Sequence, residues 1–189
     1  LRGLNANVGI LKISDFSADT NKLTAYFKGE KFLYLPPYLT GAEIEKAKPI
    51  INKFDGIYSD GIHGFLLAEE LNVKLFAGCG LNISNKISAL SCRSDYIALS
   101  KEISVKEADA LSRENTFYLS AGDIKVMDLI YCPFGKKCLS CEKRGKYTLT
   151  DENGRQFTLR RYKTGDCRFE VFNCAKLAGV KNNCGALID

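Results

Sequence analysis

The stretch "KFLYLPPYLTGAEIEKAKPIINKFDGIYS" (residues 31–59) decides the fold class of this chain. Its two short apolar runs, 31–35 and 56–59, have the length of buried strands, and the segment 41–53 between them has the periodicity of a helix. Two strands joined by a helix form a βαβ unit, in which the strands are parallel. The stretch therefore predicts an α/β protein.

The same unit recurs further along the chain. Apolar runs at 74–77 and 96–100 continue the series of strands, and a further run at 117–121 is a candidate fifth strand. Helical patterns follow the strands at 64–71, 83–90 and 104–112. Four or five units are too few for a closed eight-stranded barrel, which takes about 250 residues. We expect partial TIM-barrel-like βα repeats, as a half barrel or a small open sheet.

The pattern changes after residue 130. In "KYTLTDENGRQFTLRRY" (146–162) apolar residues alternate on both sides of Asn153-Gly154, a dipeptide typical of two-residue hairpin turns with positive φ at both positions. A short run at 169–172 predicts a third strand.

The predicted organisation has three parts. Residues 1–30 are an N-terminal segment with only a candidate strand at 8–14, residues 31–130 are the βα-repeat (partial barrel) region, and residues 131–189 are a four-cysteine metal-binding β-hairpin module.

The positive charge of the chain is concentrated around the cysteines of this module. The 189 residues include 27 Lys and Arg against 22 Asp and Glu, a net charge of +5. Residues 131–170 hold ten of the basic residues and five of the acidic ones, and the rest of the chain is balanced. The excess fits cations that offset an anionic thiolate site, a surface that binds phosphate, or an ordinary solvated face.

The sequence predicts a cytoplasmic protein. No run approaches the ~18 apolar residues that cross a bilayer, and the first twenty residues lack the profile of a secretory signal. The chain starts at Leu1 rather than at a methionine. We therefore expect it to belong to a longer protein, whose remaining domains are partners.

Three of the eight cysteines lie in "LIYCPFGKKCLSCEKR" (129–144). Cys138 and Cys141 form a C-x-x-C pair, which can bind one metal ion, and Cys132 precedes them by six residues. A hairpin returns its chain to the place it left, so Cys167 is the expected fourth ligand. In a reducing compartment a disulfide framework is the weaker interpretation.

The other cysteines have different expected roles. Cys174 and Cys184 are rival candidates for the fourth ligand, whereas Cys79 and Cys92 in the αβ region are most simply core or helix-face thiols.

Four thiolates suit tetrahedral zinc and an iron–sulfur cubane alike. Zinc knots usually use two C-x₂₋₄-C pairs, and only one such pair is present here. The Cys132-Pro133 step and the uneven spacing favour a [4Fe-4S] cluster, with zinc as the alternative occupant and unmetallated thiols as the third interpretation.

The C-terminal third also resembles a known family. The motifs that the C-terminal third shares with this family are a Met, a Cys-Pro, paired cysteines, a "Y-x-L-x-D-x-x-G-x-x-F" hairpin and a "C-R-x-x-x-x-N" segment. The matching positions are Met127, Cys132, Pro133, Cys138, Cys141, Tyr147, Leu149, Asp151, Gly154, Phe157, Cys167, Arg168 and Asn173. The pattern is similar to that of the peptidase U32 family of collagenase-like proteases.

The resemblance covers roughly residues 54–177 and is weaker in the αβ part. There "ALSKEIS" (98–104) is similar to the "LSPELS" segment of the family, with Lys101 in the place of the usual Pro.

The resemblance implies a TIM-barrel-related fold and an oxygen-labile iron–sulfur cubane on Cys132, Cys138, Cys141 and Cys167. Long members of the family carry a second, shortened copy of the barrel, which this chain looks like. Members are named as peptidases and collagenases, while several act in the hydroxylation of RNA bases or of a quinone precursor. The family name therefore does not fix the reaction.

Three functions follow as hypotheses. RNA base hydroxylation fits the basic surplus and the aromatic residues Tyr131, Phe134, Tyr147 and Tyr162, although cross-strand packing would also explain hairpin aromatics. RNA is then an expected partner, and neither DNA nor a membrane is expected.

A peptidase is the alternative function. The sequence has no H-E-x-x-H or G-x-S-x-G motif and a single histidine, His63, which is more simply a capping or packing residue. Asp60 and Glu102 lie near predicted strand ends, where barrel enzymes hold their catalytic residues, but helix capping or ion pairing is the simpler role for each.

The third hypothesis is a non-catalytic accessory lobe with a structural metal site.

Overall fold

A computed structural model describes residues 6–13, 16, 19–20, 25, 27–135, 138–139, 141–142 and 145–189. The strands are β1 (Val8–Leu11), β2 (Glu30–Leu35), β3 (Gly56–Ser59), β4 (Lys74–Ala77), β5 (Tyr96–Ala98), β6 (Thr116–Leu129), β7 (Lys146–Thr150), β8 (Gln156–Lys163), β9 (Cys167–Leu177) and β10 (Gly185–Ile188). The helices are α1 (Gly41–Ile51), α2 (His63–Leu71), α3 (Lys86–Ser91) and α4 (Val105–Ala110), with a 3₁₀ turn at Cys79–Leu81. Of the predicted N-terminal strand at 8–14, residue 14 lies outside the described residues.

The strands form one mixed sheet. Strands β1 to β6 pair in chain order and in parallel, and helices α1 to α4 lie in the connections between β2 and β6. The predicted α/β class is therefore confirmed. Strand β10 pairs in parallel with the first half of β6. Residues 185–188, which follow the predicted hairpin in the sequence, thus extend the parallel part of the sheet.

The sheet is curled into a half barrel. Side chains of alternate residues on β2, β3 and β4 point to opposite faces. One face holds an aromatic core with Phe32, Tyr34, Tyr58 and Phe76, and the other packs aliphatic residues such as Leu33 against the helices. Val8 of β1 and Leu187 of β10 both pack against the aromatic core, although they belong to strands at opposite ends of the parallel sheet. The sheet must therefore curve around that core.

Local sequence determines where three of the helices begin. Thr40, Asn85 and Ser104 each accept a hydrogen bond from the backbone N–H three residues later, and the side chain at that later position bonds back to the cap. This reciprocal capping box satisfies two of the N–H groups that a helix start leaves unpaired. Helix α2 ends at Asn72 in the left-handed conformation with φ 50°. No helix among the described residues is both long enough and apolar enough to cross a membrane.

Strand β6 connects the two parts of the sheet. Its first residues pair with β5 and β10, and its second half pairs antiparallel with β9, which continues to β8 and β7. Between the two halves Gly122 has φ +110°, and a Cβ there would collide with the backbone of Asp189. Only glycine tolerates both conditions, so Gly122 lets β6 pass from one pairing to the other.

The predicted hairpin is present, but its turn differs from the expectation. Strands β7 and β8 are antiparallel and Thr150 pairs with Gln156. The N–H of Gly154 donates to the carbonyl of Asp151, and Gly154 alone of the Asn153-Gly154 pair has positive φ, at +78°. Residues 152–154 therefore form a three-residue loop whose last residue is a left-handed glycine, a common hairpin connection. The prediction of positive φ at both Asn153 and Gly154 was therefore wrong for Asn153. The side chain of Asp151 also accepts the N–H groups of Asn153 and Arg155, which holds the loop in the observed form.

An ion pair between buried side chains ties the antiparallel strands to the helices. The guanidinium of Arg168 in β9 donates to Glu43 in α1 at 2.8 Å, and both side chains are almost fully buried. Burial by itself would raise the pKa of Glu43, but hydrogen bonds from Thr164 and Thr40 and the charge of Arg168 hold it below its usual value. Arg168 thus has a structural role, because it joins β9 to α1.

Candidate functional site at the strand ends

Polar side chains gather at the carboxyl ends of the parallel strands. Asp60 directly follows β3, Tyr34 is the penultimate residue of β2, and Lys12 follows β1. Carboxyl ends of neighbouring parallel strands meet at one edge of a sheet, which is where barrel enzymes hold their functional groups. The second half of β6 and the adjoining β9 bring Lys125 and Glu170 to the same edge.

Lys125 is the centre of a buried network. Its ammonium lies 2.9 Å from Asp60, 3.1 Å from Asp128 and 3.5 Å from Glu170, and it donates to the hydroxyl of Tyr34 at 2.8 Å. The Tyr34 hydroxyl is within hydrogen-bonding distance of both Asp60, at 3.0 Å, and Glu170, at 3.1 Å. Only 15% of the Lys125 side chain and 5% of the Asp60 side chain are exposed. We call these five residues the strand-end network.

The pKa values of Asp60 and Lys125 are shifted toward their charged forms, whereas burial raises the pKa of Asp128 above its usual value despite the charge of Lys125. Burial by itself would raise the pKa of Asp60, but the charge of Lys125 and hydrogen bonds from Gly80, Lys125 and Tyr34 hold it below its usual value. Burial would likewise lower the pKa of Lys125, but the carboxylates of Asp60, Asp128 and Glu170 raise it above its usual value. Lys125 is therefore a fixed cation and is not suited to act as a neutral amine nucleophile.

Two cavities adjoin the network. The strand-end cavity has a volume of about 120 Å³ and is lined by Lys12, Tyr34, Tyr58, Asp60, Cys79, Lys101 and Lys125 among others. The hairpin cavity has a volume of about 270 Å³ and lies between the residues after β1 and strand β8. Lys12 and Tyr34 line both cavities, so the two spaces are neighbours.

Cys79 in the strand-end cavity is held as a neutral thiol. Burial, together with the nearby charge of Asp60, raises its pKa to about 11. Thiolates are the nucleophilic form of cysteine, and no effect strong enough to favour one acts here. Cys79 and Cys92 both pack against core clusters, as the sequence analysis expected.

The two other candidate catalytic residues lie outside both cavities. His63 begins α2 beside Gly61, and burial lowers its pKa below its usual value. Its Nε2 is buried and has no hydrogen-bond partner among the described residues. Glu102 is exposed, and its backbone N–H donates to the hydroxyl oxygen of Ser100. Of the three polar residues singled out from the sequence, only Asp60 lies in the strand-end site.

Three of the four predicted cysteine ligands lie between β6 and β7, and Cys167 begins β9. Cys132 and Cys167 are partly buried against a cluster that contains Leu159 and Phe169, and Tyr147 packs on the same cluster. The thiol of Cys141 lies 3.7 Å from the Tyr147 hydroxyl, and Cys138 is exposed.

Among the residues with described positions, no group of three or more Cys, His, Asp or Glu side chains is arranged to hold a metal ion. The donor types fit an iron–sulfur cluster or zinc, but the sulfurs are not gathered around one centre. The four-cysteine site therefore stays a prediction. Of the rival ligands, Cys174 is exposed on β9 and Cys184 packs near α4, where it donates to the carbonyl of Ala108.

The aromatic residues of the module divide into two groups. The rings of Phe134 and Tyr147 are 4.6 Å apart and both contact Phe169, so these two pack in the module, as the simpler interpretation expected. Tyr131 is 64% exposed, and Tyr162 lines the hairpin cavity. Four of the basic residues counted in the charge surplus, Lys136, Lys137, Lys143 and Arg144, lie outside the described residues.

Comparisons with protein-family models, with curated proteins and with solved structures find no match to this chain.

Proposed function

We propose that this chain is a module of the peptidase U32 type and part of a larger enzyme that hydroxylates RNA bases. The motif pattern from Met127 to Asn173 supports the family, and the alternation of parallel strands and helices supports a partial TIM-barrel-like fold. On this proposal Cys132, Cys138, Cys141 and Cys167 hold a [4Fe-4S] cluster, with zinc as the alternative occupant. When bound, such a cluster supplies one-electron chemistry.

One observation carries the proposal. A buried network of Asp60, Lys125 and Tyr34 borders two cavities at the carboxyl ends of the parallel strands. In barrel enzymes this edge holds the active site, and cavities with convergent polar groups and shifted pKa values are the usual candidates. We therefore infer that substrate binds here.

The lining of the cavities favours RNA over a peptide substrate. The hairpin cavity combines tyrosine rings with four basic side chains and one acidic one, a combination that suits nucleobases and phosphates. A peptidase would need an activated nucleophile or a metal-bound water. Cys79 has a raised pKa, and His63 lines neither cavity, so a Cys-His or Ser-His mechanism has little support among the described residues.

The chain's own residues have distinct expected roles in substrate binding. Asp60 is ionised, and Lys125 and Tyr34 hold its carboxylate in one position at the edge of the strand-end cavity. It can accept hydrogen bonds from the amino or imino groups of a base. Lys101 lines the same cavity and bonds to the backbone carbonyl of Lys125. It forms no ion pair with a carboxylate in the described part of the chain, so its charge is available for an anionic group.

The test has a cellular arm and a binding arm. Nucleoside mass spectrometry is applied to RNA from cells that produce the natural protein, its Asp60→Asn variant or neither. We expect a nucleoside with one added oxygen that disappears in the variant, while circular dichroism confirms that the variant folds. Absence of any hydroxylated nucleoside dependent on the protein would overturn the proposal.

In the binding arm, the anaerobically purified chain is titrated with single-stranded RNA at several salt concentrations. Lys101→Gln is compared with Lys53→Gln, an exposed lysine outside both cavities. We expect affinity to fall with salt, and to fall further in Lys101→Gln only. Proteolysis of a protein substrate that is lost in His63→Ala would favour the peptidase instead. If the chain shows no RNA hydroxylation, no RNA binding and no proteolysis, the non-catalytic accessory lobe is the remaining hypothesis.

A further inference from the structure

The hairpin cavity has features of a site for an aromatic ring. Its volume, about 270 Å³, is close to the lower end of the ~300–1,000 Å³ range of ligand pockets. Its walls include the rings of Phe16, Tyr34 and Tyr162, together with Ile13 and Pro36. Flat apolar walls of this kind stack on nucleobases whatever their sequence.

The cavity is also electropositive. Lys12, Lys146, Arg160 and Arg161 line it, against the single carboxylate of Glu170. Glu170 is already paired with Lys12 at 3.0 Å and lies 3.5 Å from Lys125. Among the lining side chains the cations therefore outnumber the carboxylates, although Arg160 is also paired with Asp123 and Asp189 outside the cavity. The surplus favours an anionic ligand.

Two of the basic side chains, Lys146 and Arg160, can form a further ion pair or hydrogen bond that the described residues do not supply. Lys146 forms no ion pair with any carboxylate that the structure describes. The Nε of Arg160 is buried and has no acceptor there, although the terminal nitrogens of the same guanidinium pair with Asp123 and with Asp189. A buried donor without an acceptor is costly, and a ligand oxygen would satisfy it.

We propose that the hairpin cavity binds one nucleotide of single-stranded RNA, with the base against Tyr162 and the phosphate at Lys146 and Arg160. The inference rests on the proposed function and names the part of the substrate that this cavity takes. Because Tyr34 and Lys12 border both cavities, a base held here would lie beside the strand-end network. A nucleotide would use both parts of the cavity, with its base on the aromatic walls and its phosphate at the basic rim. Free phosphate would use only the rim, and a peptide has no group that matches both parts.

The first experiment uses free ligands. Uridine 5′-monophosphate, uridine and inorganic phosphate are each titrated into the full chain, and binding is followed by isothermal calorimetry. We expect the nucleotide to bind more tightly than either fragment, because only the nucleotide uses both parts of the cavity. Equal affinity of the nucleotide and inorganic phosphate would overturn the assignment of the base.

The second experiment changes the walls and the rim separately. Tyr162→Leu keeps an apolar side chain but removes the ring, and Tyr38→Leu removes a ring that is exposed and outside the cavity. We expect Tyr162→Leu to weaken nucleotide binding roughly 5- to 150-fold, the range for loss of one stacked base, and Tyr38→Leu to leave it unchanged. Tyr162→Phe keeps a ring at this position and should bind the nucleotide as the natural chain does. Circular dichroism checks that Tyr162→Leu remains folded.

For the rim, Lys146→Gln is compared with Lys181→Gln, an exposed lysine outside the cavity. With a ten-nucleotide polyuridine RNA, loss of one phosphate contact should reduce the slope of log affinity against log salt by about one, and only in Lys146→Gln. Equal slopes in the two variants would overturn the phosphate contact.

The outcomes separate this site from the proposed function. If RNA is hydroxylated but Tyr162→Leu binds nucleotide as the natural chain does, the site is wrong and the proposed function stands. If the free nucleotide binds with the expected dependence on Tyr162 but no hydroxylated nucleoside forms, the site stands and the proposed function fails.

Discussion

Replacement of Lys125 by methionine tests whether the strand-end network holds the two parts of the sheet together. Methionine keeps most of the apolar stem but removes the charge shared by Asp60, Asp128 and Glu170. Asp60 then remains 5% exposed without its cation, although the N–H of Gly80 still donates to it at 2.9 Å. Glu170 keeps its pair with Lys12.

The expected loss follows from that burial. Removal of one partner from a buried ion pair costs about 3–5 kcal/mol, because the other charge stays in a medium that solvates it poorly. Gly80 and Lys12 compensate in part, so we expect about 3 kcal/mol. For a domain of this size that is roughly 6–12 °C in melting temperature. It is a large share of the ~5–15 kcal/mol by which most domains are stable.

Urea denaturation followed by circular dichroism measures the loss as a change of midpoint at constant slope. The matched control is Lys176→Met, since the Lys176 side chain is 76% exposed and pairs with Asp123 at 3.3 Å. A pair on the surface contributes about 0–1 kcal/mol. The double variant Asp60→Asn/Lys125→Met should recover part of the loss because it leaves no buried charge at Asp60.

The pH dependence gives a second readout. In the natural chain the folded-state pKa of Asp60 is lowered, so its ionised form stabilises the fold above the unfolded-state pKa, and this contribution is lost as pH falls through the folded-state pKa. In Lys125→Met the cation is gone and burial favours the protonated acid. The stability gap between the two proteins should therefore narrow as pH is lowered from neutral to about pH 4. If Lys125→Met loses no more unfolding free energy than Lys176→Met, or if its loss does not change with pH, Lys125 does not stabilise a buried, ionised Asp60.

Three further predictions test other parts of the fold. Arg168→Met should cost about 3 kcal/mol in urea denaturation, because it leaves Glu43 buried without its cation; a loss below about 1 kcal/mol would contradict the pairing of α1 with β9. Near pH 8, Cys79 should react with iodoacetamide far more slowly than exposed Cys174 in peptide mapping, and its rate should rise with pH towards its pKa of about 11; equal rates would show that the thiol is not buried. Ser104→Ala should lower the free energy of unfolding by about 1 kcal/mol through loss of the N-cap of α4, whereas an unchanged midpoint would show that the cap is unimportant.

The sequence determined the local elements of this protein. The strands at 56–59 and 74–77 were predicted at the residues where the structure has them, and helix α1 begins after Thr40, whose capping box is visible in the sequence. These features depend on side-chain periodicity and on groups three residues apart, which any window of sequence contains. The hairpin turn was only partly predictable, since Asp151 competes for the backbone N–H groups of the loop.

The site was decided by the tertiary structure. Asp60 could be named from the sequence because it follows a predicted strand, but Tyr34, Lys125 and Glu170 could not. Tyr34 and Glu170 meet across 136 residues, and Lys125 reaches Tyr34 across 91. Lys125 lies in the half of β6 that passes out of the parallel sheet, and nothing in its neighbours' sequence marks that crossing except a glycine. Charges from distant strands become a network only when the curled sheet excludes water from between them, and that exclusion depends on the whole fold rather than on any one segment.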